Sequence, residues 1–314
     1  KGMAGMFIMM NSARLNVGVQ GVGIAERAYQ QALAYARDRR QGKAIKGEGP
    51  GPHAIIDHPD VRRTLALMKA KIEAARAICY HAAVEADLGA YGDDADEKAW
   101  SKRREDLLIP IAKAWSTDMG VEVASLGVQV HGGMGFIEET GAAQHYRDAR
   151  IAPIYEGTNG IQAIDLVGRK LARDGGTAMN ELIEDIRETV EDCATSSNPE
   201  LPVLAERLKP ACDALEEASA WLLKASDEDR LAAATPFLKL AGDVTGGWLL
   251  CVGAVAAQRM LKEGSNEAGY ANARISLARV YADTVLTSAP GLVGDVQVGA
   301  EPLFGPGEAM LESA

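Results

Sequence analysis

One short passage, Pro153 to Gly160 (PIYEGTNG), combines a carboxylate with glycines just ahead of a helical pattern. A glutamate followed by glycine at a helix opening can project into a cavity while nearby backbone N–H groups face a ligand. In an apolar cavity Glu156 could take a proton and act as a general base; on a plain turn it does nothing chemical. The residues alone leave both readings open. A second feature is the basic run Arg37, Arg39, Arg40, Lys43 and Lys46 at the end of a helical stretch. Cations are favoured there by the helix dipole, and guanidinium groups can also grip a diphosphate through paired hydrogen bonds. The third is Gln129 to Phe136 (QVHGGMGF), whose three glycines would let the backbone approach a bulky ligand. No strand precedes it, so it is not a dinucleotide-fold fingerprint.

Other chemistries find no support. The five histidines, His53, His58, His81, His131 and His145, have no metal-ligand spacing, so no metal site is expected. There is no GxSxG nucleophile elbow. Cys79, Cys193, Cys212 and Cys251 are widely separated with no CxxC, which argues against a zinc site or a disulfide framework and fits a reducing cytoplasm. Trp100, Trp115, Trp221 and Trp248 sit in helical patterns and are read as core.

The elements that must position these motifs are helical, because apolar residues recur at spacings of three and four over stretches too long for strands. An all-α fold is predicted, a four-helix-bundle type followed by a further helical domain. Met3 to about Arg37 reads as one long helix with small residues (Gly18, Gly21, Gly23, Ala25, Ala28, Ala32) for close packing against another helix. Gly42 to Pro52 is a loop, and Asp57, as N-cap before Pro59, opens a helix to about Leu88. A third helix runs from Trp100 to about Leu126, QVHGGMGF is a loop, and a further helix covers Ile161 to Ala172. Asp174-Gly175-Gly176 divides residues 1–174 from 175–314. Four more helices follow, roughly Ala178–Ala194, Glu200–Lys224, Glu228–Glu263 and Glu267–Thr287, before a Gly/Pro-rich, loosely held end.

The 314 residues carry a net charge of −11, and the charge is uneven. Lys1 to Asp174 holds 23 basic and 22 acidic residues, while Gly175 to Ala314 holds 10 and 22. An acidic tail without a basic face argues against nucleic acid as a partner, while the near-neutral front leaves room for a small anionic ligand. Trp248 to Ala257, the most apolar stretch, is about half the length of a membrane span.

Together, the long helix, YARDRRQGK, QVHGGMGF and IYEGTNGIQ resemble, in order and spacing, the C-terminal helical domain of the acyl-CoA dehydrogenases, over about Met3 to Leu171. The tail, including NARISLARVYADTVL (Asn272 to Leu286), is similar to the extra helical domain of the subgroup that contains 3-methylmercaptopropionyl-CoA dehydrogenase and related bacterial enzymes. The resemblance implies FAD-dependent α,β-dehydrogenation of an acyl-CoA, with Glu156 as base. Some members place the glutamate at the position of Ala13, which cannot take a proton. The resemblance further implies Asn11, Arg14 and Gly157 as substrate contacts, and Thr158, Asn159, Gly160 and Gln162 as flavin lining. It puts Arg39 and Gln41 on the FAD diphosphate and Gln129, Gly132 and Gly133 against its adenosine half, across a homodimer or dimer of dimers. An electron-transfer flavoprotein is the implied electron acceptor. YARDRRQGK lacks the aromatic residue that often precedes the family's glycine, and Pro59 follows His58 where a glutamine is common. The family's N-terminal helical and middle β domains would precede Lys1, so the chain is expected to be the C-terminal part of a longer enzyme. The competing expectations are a straight-chain acyl-CoA dehydrogenase and a non-catalytic helical oligomerisation module.

Overall fold

The computed structural model describes residues 2–312, and every regular element within them is a helix. Three long helices, α1 (Gly2–Asp38), α2 (Pro59–Tyr91) and α3 (Ala95–His131), form the bundle. Short helices α4 (Gly133–Phe136), α5 (Ala142–Ala149) and α6 (Asn159–Asp165) lead out of it, α6 continuing as a π-helical turn over Leu166–Leu171. The remainder comprises α7 (Thr177–Ala194), α8 (Glu200–Lys224), α9 (Asp227–Ala232), α10 (Ala234–Lys262), α11 (Ala268–Thr284), α12 (Leu292–Gln297) and the short α13 (Glu301–Phe304) and α14 (Ala309–Glu312).

Small residues let α1 and α3 approach closely. A Cβ added at Gly18 would stand 2.6 Å from the Ala112 carbonyl oxygen, and one at Gly21 2.6 Å from that of Ser116. Ala25, Ala28 and Ala32 are buried on the same face, whereas Gly23 faces open space and takes no part in the crossing.

Three local expectations change. Asp57 closes a 3-10 turn, Ile55–Asp57, and His58 occupies the cap before Pro59, because the carbonyl of Arg39 draws Ile55 N–H into a short bridge that fixes the entry to α2. Asp94 starts α3 ahead of the expected point, its carboxylate accepting from Asp96 N–H and Glu97 N–H at 3.0 and 2.8 Å. QVHGGMGF is mostly helical: Gln129 to His131 complete α3, Gly132 breaks the chain at φ +59°, and Gly133 begins α4.

The segments before and after residue 174 share one continuous hydrophobic core. Central to it is α10, long and apolar enough by length and composition to cross a bilayer but largely buried within the fold. Gly242 on α10 lies flat against Trp115 of α3, where any Cβ would overlap the ring, and the Trp115 indole N–H donates to Asp243 at 2.9 Å. A second tie is Arg104 of α3, fully buried and paired at 2.8 Å with Asp185 of α7. The end after Thr287 is packed in part: Ala289, Val293 and Val296 recur at helical spacing and are buried through a 3-10 turn and α12, while residues 301–308 are exposed.

Candidate active site

Glu156 stands on the turn between α5 and α6 at φ +55°, the one left-handed non-glycine residue among those described, and its side chain is exposed. Gly157 follows at φ +84°. That pair of conformations turns the chain sharply into α6, and a glutamate in it costs on the order of 1 kcal/mol. Glycine is favoured there by the positive φ and by space: a Cβ at Gly157 would stand 2.7 Å from the Gln162 side-chain nitrogen. Thr158 is the N-cap of α6, its hydroxyl accepting from Ile161 N–H at 3.3 Å.

Arg14 projects from α1 to this turn. It is buried, and its Nη1 donates to Asp165 of α6 at 3.1 Å, while Arg169 donates to the other Asp165 oxygen at 2.6 Å. Asp165, buried and unforeseen in the sequence, therefore fixes the guanidinium. Arg14 Nε and Gln162 Oε1 remain buried without a hydrogen-bond partner. An orphaned donor and acceptor beside Gly157 fit a polar ligand group lodged at the turn. Asn11 and Arg14 also line a cavity of about 450 Å³ with Arg103, Asp165, Arg169 and Arg173.

Asn159 opens α6, and its side chain is engaged with α3. Its Nδ2 donates to Asp118 Oδ1 (2.8 Å), Thr117 Oγ1 (2.9 Å) and the Ala114 carbonyl (3.1 Å), and its Oδ1 accepts from Lys113 at 2.8 Å. Burial pushes the Lys113 ammonium down to about 8, and the charges of Asp118 and Glu156 oppose that drop. Burial raises Asp118, against the pull of Asn159, Lys113 and Arg150. Gly160 and Asn159 face a smaller cavity of about 220 Å³ whose far wall is α10.

A separate cavity of about 660 Å³, between the ends of α1 and α3, collects Arg39, Gln41, Gln129, Gly132 and Gly133 with Tyr35, His58 and His131. His131 stacks on Tyr35 at 4.4 Å and is held by Gly127 O at 2.7 Å; His58 Nε2 lies 2.7 Å from the Gln41 carbonyl. Within this chain nothing lies within 4 Å of a Cβ built on Gly132 or Gly133. That vacant space suits a group approaching the backbone from outside the chain, and Arg39 beside it suits a diphosphate. The expected site residues thus fall along three cavities, Asn11 and Arg14 on the first, Asn159 and Gly160 on the second, and Arg39, Gln41, Gln129, Gly132 and Gly133 on the third, while Glu156, exposed on its turn, lines none of the three. Among the described residues no cluster of His, Cys, Asp and Glu could hold a metal ion.

Residues 1–171 match the family model "Acyl-CoA dehydrogenase, C-terminal domain", and residues 182–305 match "Acetyl-CoA dehydrogenase C-terminal like". The chain is 46% identical over 288 residues to 3-methylmercaptopropionyl-CoA dehydrogenase of Ruegeria pomeroyi, covering 91% of this chain and 48% of that protein. It is 32% identical over 304 residues to a butyryl-CoA dehydrogenase of Syntrophomonas wolfei, covering 95% and 49%. Among solved structures, Caenorhabditis elegans ACDH-11 in complex with C11-CoA superposes with a TM-score of 0.73 at 21% identity, covering 99% of this chain and 48% of that one. The chain spans about half the length of the curated relatives it matches.

Proposed function

The chain belongs to the acyl-CoA dehydrogenase family, and from that premise we propose that it is the base-bearing C-terminal half of an FAD-dependent enzyme that dehydrogenates an acyl-CoA thioester between its α and β carbons. Glu156 takes the α-proton. The backbone N–H groups of the left-handed Glu156–Gly157 turn lie where they can hold the thioester carbonyl and stabilise the negative charge that develops on it. Arg14, pinned by Asp165, keeps a fixed positive charge beside the turn. FAD, when bound, supplies the acceptor for the hydride that leaves the β carbon. Arg39 and Gln41 are the residues for its diphosphate, Gln129, Gly132 and Gly133 for its adenosine half, and Thr158, Gly160 and Gln162 for the edge near the base.

The observation that carries this reading is Glu156 in a left-handed conformation, on a turn braced from α1 and α3, beside a buried Arg14 Nε and Gln162 Oε1 that lack partners. The substrate we propose is a short methylthio-substituted acyl-CoA of the 3-methylmercaptopropionyl type, on the strength of the 46% identical relative. We further propose a homodimer or dimer of dimers; a cavity at Arg39 lined by none of the residues beside Glu156 supports a cofactor shared with a neighbouring subunit. An electron-transfer flavoprotein is the proposed acceptor, and the cytoplasm the proposed compartment, in keeping with four buried free thiols.

The test is Glu156→Gln in the whole FAD-loaded protein. Acyl-CoA should still bind, while flavin bleaching on mixing slows by roughly 10²–10⁴-fold or more; bleaching at the wild-type rate refutes the assignment. Competing 3-methylmercaptopropionyl-CoA against butyryl-CoA distinguishes the proposed substrate from a straight-chain one.

A further inference from the structure

Lys113 is an expensive residue for its position. It is fully buried in α3, in an apolar run (Ile109 to Trp115), where desolvating an ammonium costs several kcal/mol unless partners compensate. Its hydrogen-bond partner is the Asn159 side-chain oxygen at 2.8 Å. Asn159 in turn does two things. Its backbone N–H donates to the Pro153 carbonyl at 2.9 Å, which closes the turn, and its side chain fastens that closed turn to Ala114, Thr117 and Asp118. Glu156 sits midway along the turn so closed, in the strained left-handed conformation, where only the surroundings can hold it. The charged groups that act on Lys113 are Asp118, Arg14 and Glu156 itself.

We propose that Lys113 is a positioning residue for Glu156: its ammonium locks Asn159, and Asn159 locks the turn. The mechanical half, from Lys113 to the turn, stands on geometry alone; that Glu156 is the group it serves in catalysis rests on the reading of Glu156 as base. A merely space-filling lysine would need neither the amide contact nor the carboxylates around it, and a methionine would fill the same volume without the desolvation cost.

Hydrogen exchange on this chain tests the mechanical half without any cofactor. Lys113→Met, Asn159→Ala and the double variant should each speed exchange of the amides from 154 to 161 by roughly tenfold or more while α2 and α8 keep their protection. The double variant should be no worse than the worse single one, because both break one strut. Unchanged exchange in 154–161, or additive effects, overturns the strut. Should Lys113→Met not fold, Asn159→Ala carries the same test. If Glu156→Gln leaves flavin reduction intact, the base assignment fails while the exchange result stands on its own.

Discussion

Gly157 and Gln162 meet at the turn that bears Glu156, the Gln162 amide donating to the Gly157 carbonyl, and their closeness sets what can be changed there. Gly157→Ala would put a methyl 2.7 Å from the Gln162 nitrogen at a φ of +84°. The expected loss is about 1–3 kcal/mol of stability in urea unfolding. Adding Gln162→Ala should recover the steric part and leave the conformational part. The Glu156-Gly157 turn left a mark in residue type because glycine accompanies a special backbone position, whereas Arg14, inside α1, was read only through the family resemblance. Lys113 and Asp165 were not read, although each breaks an apolar run, and a charge within such a run is the signal that could have found them. Their partners lie 46 and 151 residues away, at separations that helical periodicity does not report.

At the scale of elements, the crossing of α1 and α3 separates two glycines that look alike in sequence. Gly21→Ala drives a methyl to 2.6 Å from a backbone carbonyl and should destabilise by about 1–3 kcal/mol, since backbone cannot move aside as a side chain can. Gly23→Ala meets open space and should stabilise by about 0.5–1 kcal/mol through helix propensity. Denaturant midpoints of the two variants should move in opposite directions. The long helices were readable because the apolar period persists for many turns, whereas the short α4, α5 and α12 were not. The ends were not: the Arg39–Ile55 bridge, the Asp94 cap and the Gly132 break depend on individual hydrogen bonds and dihedrals. The packed stretch from Ala289 to Val296 was read as part of a loose end because glycine and proline outweighed a short apolar period.

For the whole molecule, acid stability should track the seam between bundle and tail. Burial, and next Arg104, push His81 down to about 4 against the pull of Asp185; Glu85 and the Trp248 ring also face it. The unfolded chain binds a proton near 6.5 that the folded chain refuses until about 4. Stability must then fall as pH drops through that window, by on the order of 2–3 kcal/mol. Burial raises Glu73, but its bonds to Lys69 and Arg274 outweigh that and hold it at about 2, so a further loss follows below 4.5. Urea midpoints measured from pH 7 to 4 should decline, and His81→Phe should flatten the decline above pH 4; an unaltered slope in that variant would count against His81 as the source.

The fit of Gly242 on Trp115 also bears on how such a protein could be recombined. Two family models abut near residue 174, which invites the view of two exchangeable modules. The ring of one is housed in the missing side chain of the other, and that ring lies next in line to Ala114, whose carbonyl helps hold Asn159. A chimera spliced at Asp174 from two relatives should assemble only when the indole and its glycine seat travel together. Where they are mismatched, the damage should surface at the loop bearing Glu156 even though the splice leaves that loop's own residues unchanged.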